Sequence, residues 1–153
     1  MKKKNLAIIA IGNELMGDDG IGPAVLHALS EHSLPEDVDL IDGGTGGFSI
    51  LHIIKDYDRV LLIDSGDFGG SPGELKIFGP KEANSVKKVQ RYSLHDADLM
   101  EIIRVSEKLG ECPEEIHIMA VQPKKVEMGR SLSPQVEKAV PIVVEAVEKL
   151  LQQ

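Results

Sequence analysis

The sequence has 153 residues, of which 42% are hydrophobic and 27% charged, with 15 Gly and 8 Pro. This length predicts one domain over residues 1–153, and the composition excludes a collagen, a coiled coil and a disordered chain. The formal net charge of −8 disfavours nucleic-acid and membrane partners, because phosphate backbones and anionic lipids would repel the chain. The single cysteine, Cys112, cannot form an intramolecular disulfide, which fits a reducing compartment.

The amino-terminal segment briefly looks like a signal peptide, because Lys2, Lys3 and Lys4 precede an apolar run. That run ends at Gly12, so it is too short for a secretory signal and it lacks a small-residue cleavage site. No stretch approaches the roughly 20 apolar residues of a membrane helix. We therefore expect a cytoplasmic protein, and with 2 Tyr, 3 Phe and 0 Trp there is no aromatic patch for an oligomer, so we expect a monomer.

Short apolar runs alternate with helical patterns along the chain, which is typical of an α/β protein whose sheet is buried on both faces. The predicted strands cover residues 6–11, 38–41, 60–63, 74–78 and 116–121. The turn sequence Ser71-Pro72-Gly73 leads directly into the fourth run. We therefore expect that strand to lie antiparallel at an edge of the sheet.

Four helices are predicted between these strands. The first follows Gly20 and runs to about Glu31, and a shorter one covers residues 48–54. The third begins at the capping box 93–96 and ends at Gly110. The last begins at Ser133 and Pro134, and we expect Pro141 to kink it.

The loop after the first strand has the glycine spacing of a phosphate loop, but Asp18 and Asp19 stand where Lys and Ser or Thr belong. Two carboxylates repel phosphate and attract a cation. A G-x-G-x-x-G dinucleotide fingerprint is also missing after the first strand, so NAD binding is a poor interpretation.

The ends of the parallel strands meet at one edge of the sheet, where ligands usually bind. We expect this edge to bring together Asp19, Asp64 after the third strand and His95 in the first turn of the third helix. Two carboxylates and an imidazole suit a divalent ion such as nickel, zinc, iron or manganese. Each residue also has a simpler explanation: Asp18 or Asp19 caps the first helix, Asp64 is a turn residue, and His95 lies on the surface.

Other candidate chemistry is weaker. Cys112 has no chemical signal around it and is best explained as a structural thiol. Ser65 follows Asp64, but no G-x-S-x-G elbow surrounds it, and no H-E-x-x-H or C-x-x-C pair is present. The glycine-rich run 42–47 either cradles an extended peptide with its bare N–H groups or simply makes a tight turn.

Several of these segments together resemble the hydrogenase maturation endopeptidases. They are Gly12-Asn13-Glu14-Leu15-Met16-Gly17-Asp18-Asp19-Gly20-Ile21-Gly22, Asp42-Gly43-Gly44-Thr45, Asp64, His95 and Val121-Gln122-Pro123. The resemblance covers nearly the whole chain and is strongest to the branch that serves formate-hydrogenlyase-type hydrogenases. It implies a three-layer α/β/α sandwich of the phosphorylase/hydrolase-like type, whose five-stranded mixed sheet has the order 2-1-3-5-4 with strand 4 antiparallel.

The resemblance also implies a function. Members of this family remove a C-terminal extension from the large-subunit precursor of a [NiFe]-hydrogenase after nickel has been inserted. Their metal-contacting and catalytic positions match Asp19, Asp64 and His95, with Asp19 standing where some members have Glu. The expected substrate-binding residues are Asp42, Gly43, Gly44, Thr45 and Gln122.

Several alternatives stay open at this point. Nickel carried by the substrate either polarises the scissile carbonyl or activates water, or it is only sensed while a carboxylate activates water. Other divalent metals also suit the ligands. The cations Lys124, Lys125 and Arg130 either meet an acidic stretch of the precursor or form a solvated charge run. A non-enzymatic nickel-sensing adaptor is the alternative function, and another hydrolase or a nucleoside phosphorylase is a third that rests on fold alone.

Overall fold

The computed structural model describes residues 3–85 and 99–153, without the side chains of residues 83–85. Its strands are β1 (Lys4–Ala10), β2 (Val38–Asp42), β3 (Tyr57–Ser65), β4 (Leu75–Phe78) and β5 (Glu115–Val121). Its helices are α1 (Ile21–Ser30), α2 (Ser49–Ile54), α3 (Pro80–Ser85), α4 (Leu99–Lys108), α5 (Pro134–Glu137) and α6 (Ala139–Leu151). A 3-10 turn at Gly17–Gly20 precedes α1.

The five strands form one sheet in the order β2-β1-β3-β5-β4. Strand β1 runs parallel to β2 and β3, β3 runs parallel to β5, and β4 runs antiparallel to β5. A turn in which the Glu74 N–H donates to the Ser71 carbonyl at 2.9 Å directs the chain into β4. The predicted fold class is therefore confirmed, including the antiparallel edge strand.

Side chains alternate across the sheet, and each face is covered by helices, which gives the three layers. One face carries Ile9, Leu62 and Ile118 against α2 and α4. The opposite face carries Ile8, Ile63 and Met119 against α1, α5 and α6. Because a strand buried on both sides has no polar face, its sequence is a continuous apolar run rather than an alternating one.

The element boundaries differ from the prediction mainly where polar residues lie inside an element. β3 begins at Tyr57, three residues earlier than predicted, because the mixed segment Tyr57-Asp58-Arg59 still pairs with β1 and β5. Helix α3 was not predicted. The predicted start of the third helix, at residues 93–96, lies outside the described residues. Its described part, α4, ends at Lys108, and Gly110 follows with φ +71°.

The last helix is interrupted, and Pro141, which was expected to kink it, accounts for the break. The interruption falls at Lys138, between α5 and α6, and not at Pro141. Proline lacks an N–H, and its ring crowds the carbonyl four residues earlier, which here belongs to Glu137. The break therefore lies one turn before the proline, and Pro141 itself lies in the first turn of α6, where a missing N–H costs little.

Candidate active site

The β1–α1 loop (residues 11–20) folds back closely on itself, and its glycines make this possible. Gly12 has φ +144°, and a Cβ there would lie 2.1 Å from the Asp19 carbonyl oxygen. A Cβ on Gly22 would lie 2.5 Å from the Ile11 carbonyl oxygen. Such distances exclude any side chain, so these two glycines bring Asp19 against the end of β1.

Asp19 is tied to the end of β3. Its side chain is buried, with 3% of the residue exposed. One carboxylate oxygen accepts a hydrogen bond from the Ser65 hydroxyl at 2.8 Å, and the other accepts one from the Asn13 N–H at 2.9 Å. Ser65 is the last residue of β3, so this contact links the first loop directly to the third strand.

Asp64 precedes that serine and is equally buried, at 3% exposed. One of its carboxylate oxygens accepts a hydrogen bond from the Ser65 N–H at 2.8 Å. Asp64 pairs in register with Ala120 and lies two residues after Leu62, so it shares their face of the sheet, which α2 and α4 cover. The structure thus brings Asp19 and Asp64 to the same end of β3, with Ser65 bonded to both.

The third predicted ligand, His95, lies outside the described residues. The described chain resumes at Leu99, which is buried in the α2 and α4 face. Within residues 3–85 and 99–153, no three His, Cys, Asp or Glu side chains form a group that could hold a metal ion. The metal site formed by Asp19, Asp64 and His95 therefore stays a prediction.

Asp18 does not cap the first helix, so that simpler explanation is wrong for this residue. The N-cap of α1 is Gly20, with no side-chain hydrogen bond. The fully buried Asp18 carboxylate instead accepts hydrogen bonds from the Lys124 N–H (2.8 Å), the Lys125 N–H (2.9 Å), the Ser133 N–H (2.6 Å) and the Ser133 hydroxyl (2.8 Å). It fixes the β5–α5 loop (residues 122–133) against the β1–α1 loop.

The glycine loop (residues 42–47) lies at the same edge of the sheet, beside β1. The Gly12 N–H donates to the Gly44 carbonyl at 2.8 Å. The Gly44 N–H donates to the Asp42 carboxylate at 2.8 Å, and Asp42, Gly44 and Thr45 are exposed. Gly43 is half-buried, and its N–H donates to the Ala10 carbonyl at 2.7 Å. The loop therefore makes a tight turn and also presents exposed backbone, and its role in substrate binding stays a prediction.

Gln122 lies inside the protein, with 5% exposed. Its amide oxygen accepts hydrogen bonds from the Phe68 N–H (2.9 Å) and the Gly70 N–H (3.1 Å), and its amide nitrogen donates to Asp67 at 3.1 Å. Gln122 therefore holds the β3–β4 connection against the end of β5. Its predicted contact with substrate is untested, whereas its contact with residues 67–70 is direct.

Sequence reasoning missed the role of Ser65 and misassigned Asp18. Ser65 was set aside because no nucleophile motif surrounds it, yet it is buried at 5% exposed and joins the two carboxylates. The available signal was its position at the end of an apolar strand beside Asp64. Cys112 is partly buried and packs against the α2 and α4 face, and burial raises the pKa of its thiol. This supports the structural interpretation of the cysteine.

Comparisons with known proteins point to one family. The family model described as hydrogenase maturation protease (HycI) matches residues 23–150. The hydrogenase expression/formation protein HupD of Rhodobacter capsulatus is 30% identical over 97% of this chain and 72% of its own length. A putative hydrogenase maturation protease of Methanocaldococcus jannaschii is 32% identical over 96% of each chain.

Solved structures show the same similarity in three dimensions. The hydrogenase maturating endopeptidase HybD from E. coli aligns with a TM-score of 0.86 and 26% identity, over 97% of this chain and 92% of that one. The hydrogenase 2 maturation peptidase from a Thaumarchaeota archaeon aligns with a TM-score of 0.73 and 32% identity, over 97% and 99%.

The five-stranded mixed sheet with its flanking helices is the fold of solved maturation peptidases. The chain belongs to the hydrogenase maturation protease family, which confirms the family predicted from the motifs. Among the described residues, no helix is both long and apolar enough to cross a lipid bilayer.

Proposed function

We propose that this protein is an endopeptidase that removes the C-terminal extension of a [NiFe]-hydrogenase large-subunit precursor after nickel has been inserted. The observation that carries the proposal is the convergence of Asp19 and Asp64 at the end of β3, held by Ser65. Family membership supplies the reaction class and the precursor as substrate. We also keep the expectation that the protein acts as a cytoplasmic monomer.

In this proposal the nickel belongs to the substrate and serves as the recognition element. Carboxylates and imidazole are suitable ligands for a borderline divalent ion, and Asp19, Asp64 and His95 supply that set. The nickel then polarises the scissile carbonyl or lowers the pKa of a water. Because Asp19 and Asp64 are each 3% exposed, their contact with the precursor would take place in a site largely shielded from water, where electrostatic interactions are stronger.

Ser65 positions the carboxylates of Asp19 and Asp64 before the substrate binds. Ser65 donates its hydroxyl hydrogen to Asp19 and its N–H to Asp64. A single residue therefore orients both groups, and an error of about 1 Å in such an arrangement can cost about a hundredfold in rate. The glycine loop (42–47) lies on the adjacent strand end, and its exposed backbone is suited to bind an extended peptide.

The test is to incubate the protein with nickel-loaded and nickel-free precursor and to weigh the products by mass spectrometry. We expect one cut near the precursor C-terminus, with the nickel-loaded form only. Asp64→Asn and His95→Ala should abolish it, whereas Asp37→Asn, which removes one exposed acidic charge at the opposite end of the sheet, should retain it.

The alternative is a nickel-sensing adaptor that binds the precursor without cutting it. Intact precursor after incubation with protein shown to be folded would favour the adaptor, provided that the nickel-loaded precursor still binds. Cleavage of both precursor forms at equal rates would overturn the proposed role of nickel while leaving a peptidase.

A further inference from the structure

The β5–α5 loop forms an open cavity of about 620 Å³ on the outside of the protein, apart from Asp19 and Asp64. It is lined by Lys124, Lys125, Gly129, Arg130, Ser131, Leu132, Ser133 and Pro134. Three of these described lining residues are cations and none is an acid. The whole chain carries a net charge of −8, so this basic groove has the opposite sign to most of the surface.

We propose that the basic groove binds an acidic segment of the precursor protein, through carboxylate side chains of that segment. This inference rests on the proposed function for the identity of the partner. It assigns to Lys124, Lys125 and Arg130 the role of docking residues outside the reacting centre. Because the chain as a whole carries a net charge of −8, it repels an acidic segment on average, and a cluster of cations therefore favours one orientation of approach.

Two of the groove cations already bind a carboxylate of a neighbouring residue that does not line the groove. Lys125 Nζ and Arg130 Nε both contact the same oxygen of Glu127, at 3.2 and 2.8 Å. These two cations hold the pKa of the Glu127 carboxyl below its usual value. Lys124 forms no ion pair with any described residue. Glu127 therefore acts as an internal competitor that occupies two of the three cations until a partner carboxylate replaces it.

The groove is rigidly connected to the candidate active site. The Gly17 N–H donates to the Arg130 carbonyl at 3.0 Å, and the Asp18 N–H donates to the Lys125 carbonyl at 3.0 Å. The Asp18 carboxylate accepts four further hydrogen bonds from Lys124, Lys125 and Ser133. Because Asp19 is the next residue, the groove has a fixed position relative to the reacting centre, and preorganised cations lose little entropy on binding.

The first experiment measures kcat and KM for cleavage of the nickel-loaded precursor at low salt and at about 1 M salt, where exposed charges are screened. Replacement of Lys124, Lys125 and Arg130 together by Ser should raise KM roughly fivefold to tenfold at low salt, with kcat unchanged. This difference should disappear at high salt. Binding of the precursor to the Asp64→Asn protein, with and without the triple substitution, provides the same comparison without cleavage.

A matched triple variant separates docking from bulk charge. Lys55, Lys108 and Lys149 lie on other surfaces, and their replacement by Ser changes the net charge equally. This control should leave KM within about twofold of wild type, since distant exposed charges are largely screened. If both triple variants raise KM equally, the effect is due to net charge and the groove proposal is overturned.

Replacing Glu127, the internal competitor, should change KM in the opposite direction. Glu127→Gln keeps the size of the side chain but releases Lys125 and Arg130, so KM at low salt should fall by roughly twofold to fivefold. Glu114→Gln, on another exposed segment, should leave KM unchanged. An unchanged or raised KM for Glu127→Gln would contradict competition for the groove.

The outcomes also distinguish this inference from the proposed function. Wild-type cleavage with an unchanged KM in the basic-groove variant overturns the groove alone. Salt-dependent precursor binding that needs the three cations, without any cleavage, overturns the peptidase and keeps the groove. Equal affinity for the precursor in the Asp64→Asn protein with and without the triple substitution overturns the groove. Retention of a polyanion such as heparin in place of precursor would indicate nucleic-acid-like rather than protein recognition.

Discussion

The β5–α5 loop and the glycine loop border the same edge of the sheet but are held in opposite ways. The β5–α5 loop is fixed by the buried Asp18 carboxylate and by backbone bonds to Gly17 and Asp18. The glycine loop is joined to β1 and to Gly12 by the backbone bonds of Gly43 and Gly44, but Gly44 is exposed, and a Cβ on Gly44 or Gly47 would meet nothing within 4 Å. One loop is therefore suited to present fixed charges, and the other to adapt its backbone to a peptide.

The largest effect should come from removing the carboxylate that holds the β5–α5 loop. Asp18→Ala leaves four donors from Lys124, Lys125 and Ser133 without their acceptor, and we expect the free energy of unfolding to fall by about 4 kcal/mol. Asp42→Ala, which removes one exposed hydrogen bond in the glycine loop, should cost about 0.5–1 kcal/mol. Urea unfolding measures both, and equal losses would show that the two loops are held alike.

A slightly smaller effect should follow from closing the space at Gly12. The new Cβ of Gly12→Ala would meet the Asp19 carbonyl, so we expect a loss of about 3 kcal/mol, together with reduced cleavage as Asp19 moves. Gly47→Ala is the control, because its φ of +81° is strained for alanine but its surroundings are open, and it should cost about 1 kcal/mol. Thermal unfolding compares the two, and a tolerated Gly12→Ala would contradict this packing.

Ser65→Ala tests the connection between the two carboxylates. The hydroxyl bond to Asp19 is lost, so the unfolding free energy should fall by about 1–2 kcal/mol. Cleavage should slow roughly tenfold through kcat, because Asp19 loses an orienting contact. Ser65→Thr keeps a hydroxyl and should restore part of the rate. If Ser65→Ala matched wild type in kcat, Ser65 would have no positioning role.

The smallest effect is expected at the opposite end of the sheet. Tyr57 donates to Asp39 at 2.6 Å, and Lys4 donates to the same oxygen at 3.0 Å. The hydrogen bond from Tyr57 lowers the pKa of Asp39, and burial followed by the bond to Asp39 raises the pKa of Tyr57 to about 12. Tyr57→Phe should cost at most about 1 kcal/mol, since Asp39 is partly exposed, and should leave cleavage unchanged.

The pH dependence of that loss follows from the two directions. Because the pKa of Asp39 is lowered in the folded state, its ionised form stabilises the fold at pH values above the pKa of the unfolded chain. This stabilisation is lost as the pH falls through the pKa of the folded state. Because the pKa of Tyr57 is raised in the folded state, its protonated form stabilises the fold below pH 10. This stabilisation is lost as the pH rises through about 12. The difference between Tyr57→Phe and wild type should therefore be constant from about pH 5 to 9 and shrink in acid. Unfolding titrations that show a growing difference in acid would refute this assignment.

The sequence was sufficient for most of the fold, because strands buried on both faces are continuous apolar runs and the turn before β4 uses Pro and Gly. Sequence patterns did not predict the element boundaries that depend on contacts with other turns or strands. The interruption caused by Pro141 was expected, but its place at Lys138 was not, because the steric conflict of the proline lies with the preceding turn. The start of β3 at Tyr57 depends on pairing with two neighbouring strands, which local composition does not reveal.

Part of the arrangement at the candidate site was also predictable, whereas the roles of its residues stay predictions. The closeness of Asp19 and Asp64 was predictable because Asp19 lies in the loop after β1 and Asp64 lies at the end of β3, and these strands end at one edge. Asp18 was not distinguished from its neighbour, since its partners lie more than 100 positions later along the chain. Ser65 was missed because a serine that orients other groups has no motif of its own.

The hydrogen bonds between Asp18 and Ser133 have a consequence for folding. They join residues that are 115 positions apart, so they form only after Ser133 has been synthesised, and such distant contacts are slow to form. We expect the edge that carries Asp19 to become ordered late, which would keep a partly synthesised chain from cutting proteins. Pulsed hydrogen exchange during refolding tests this order, and protection of the Lys124 and Ser133 amides before the central strands would refute it.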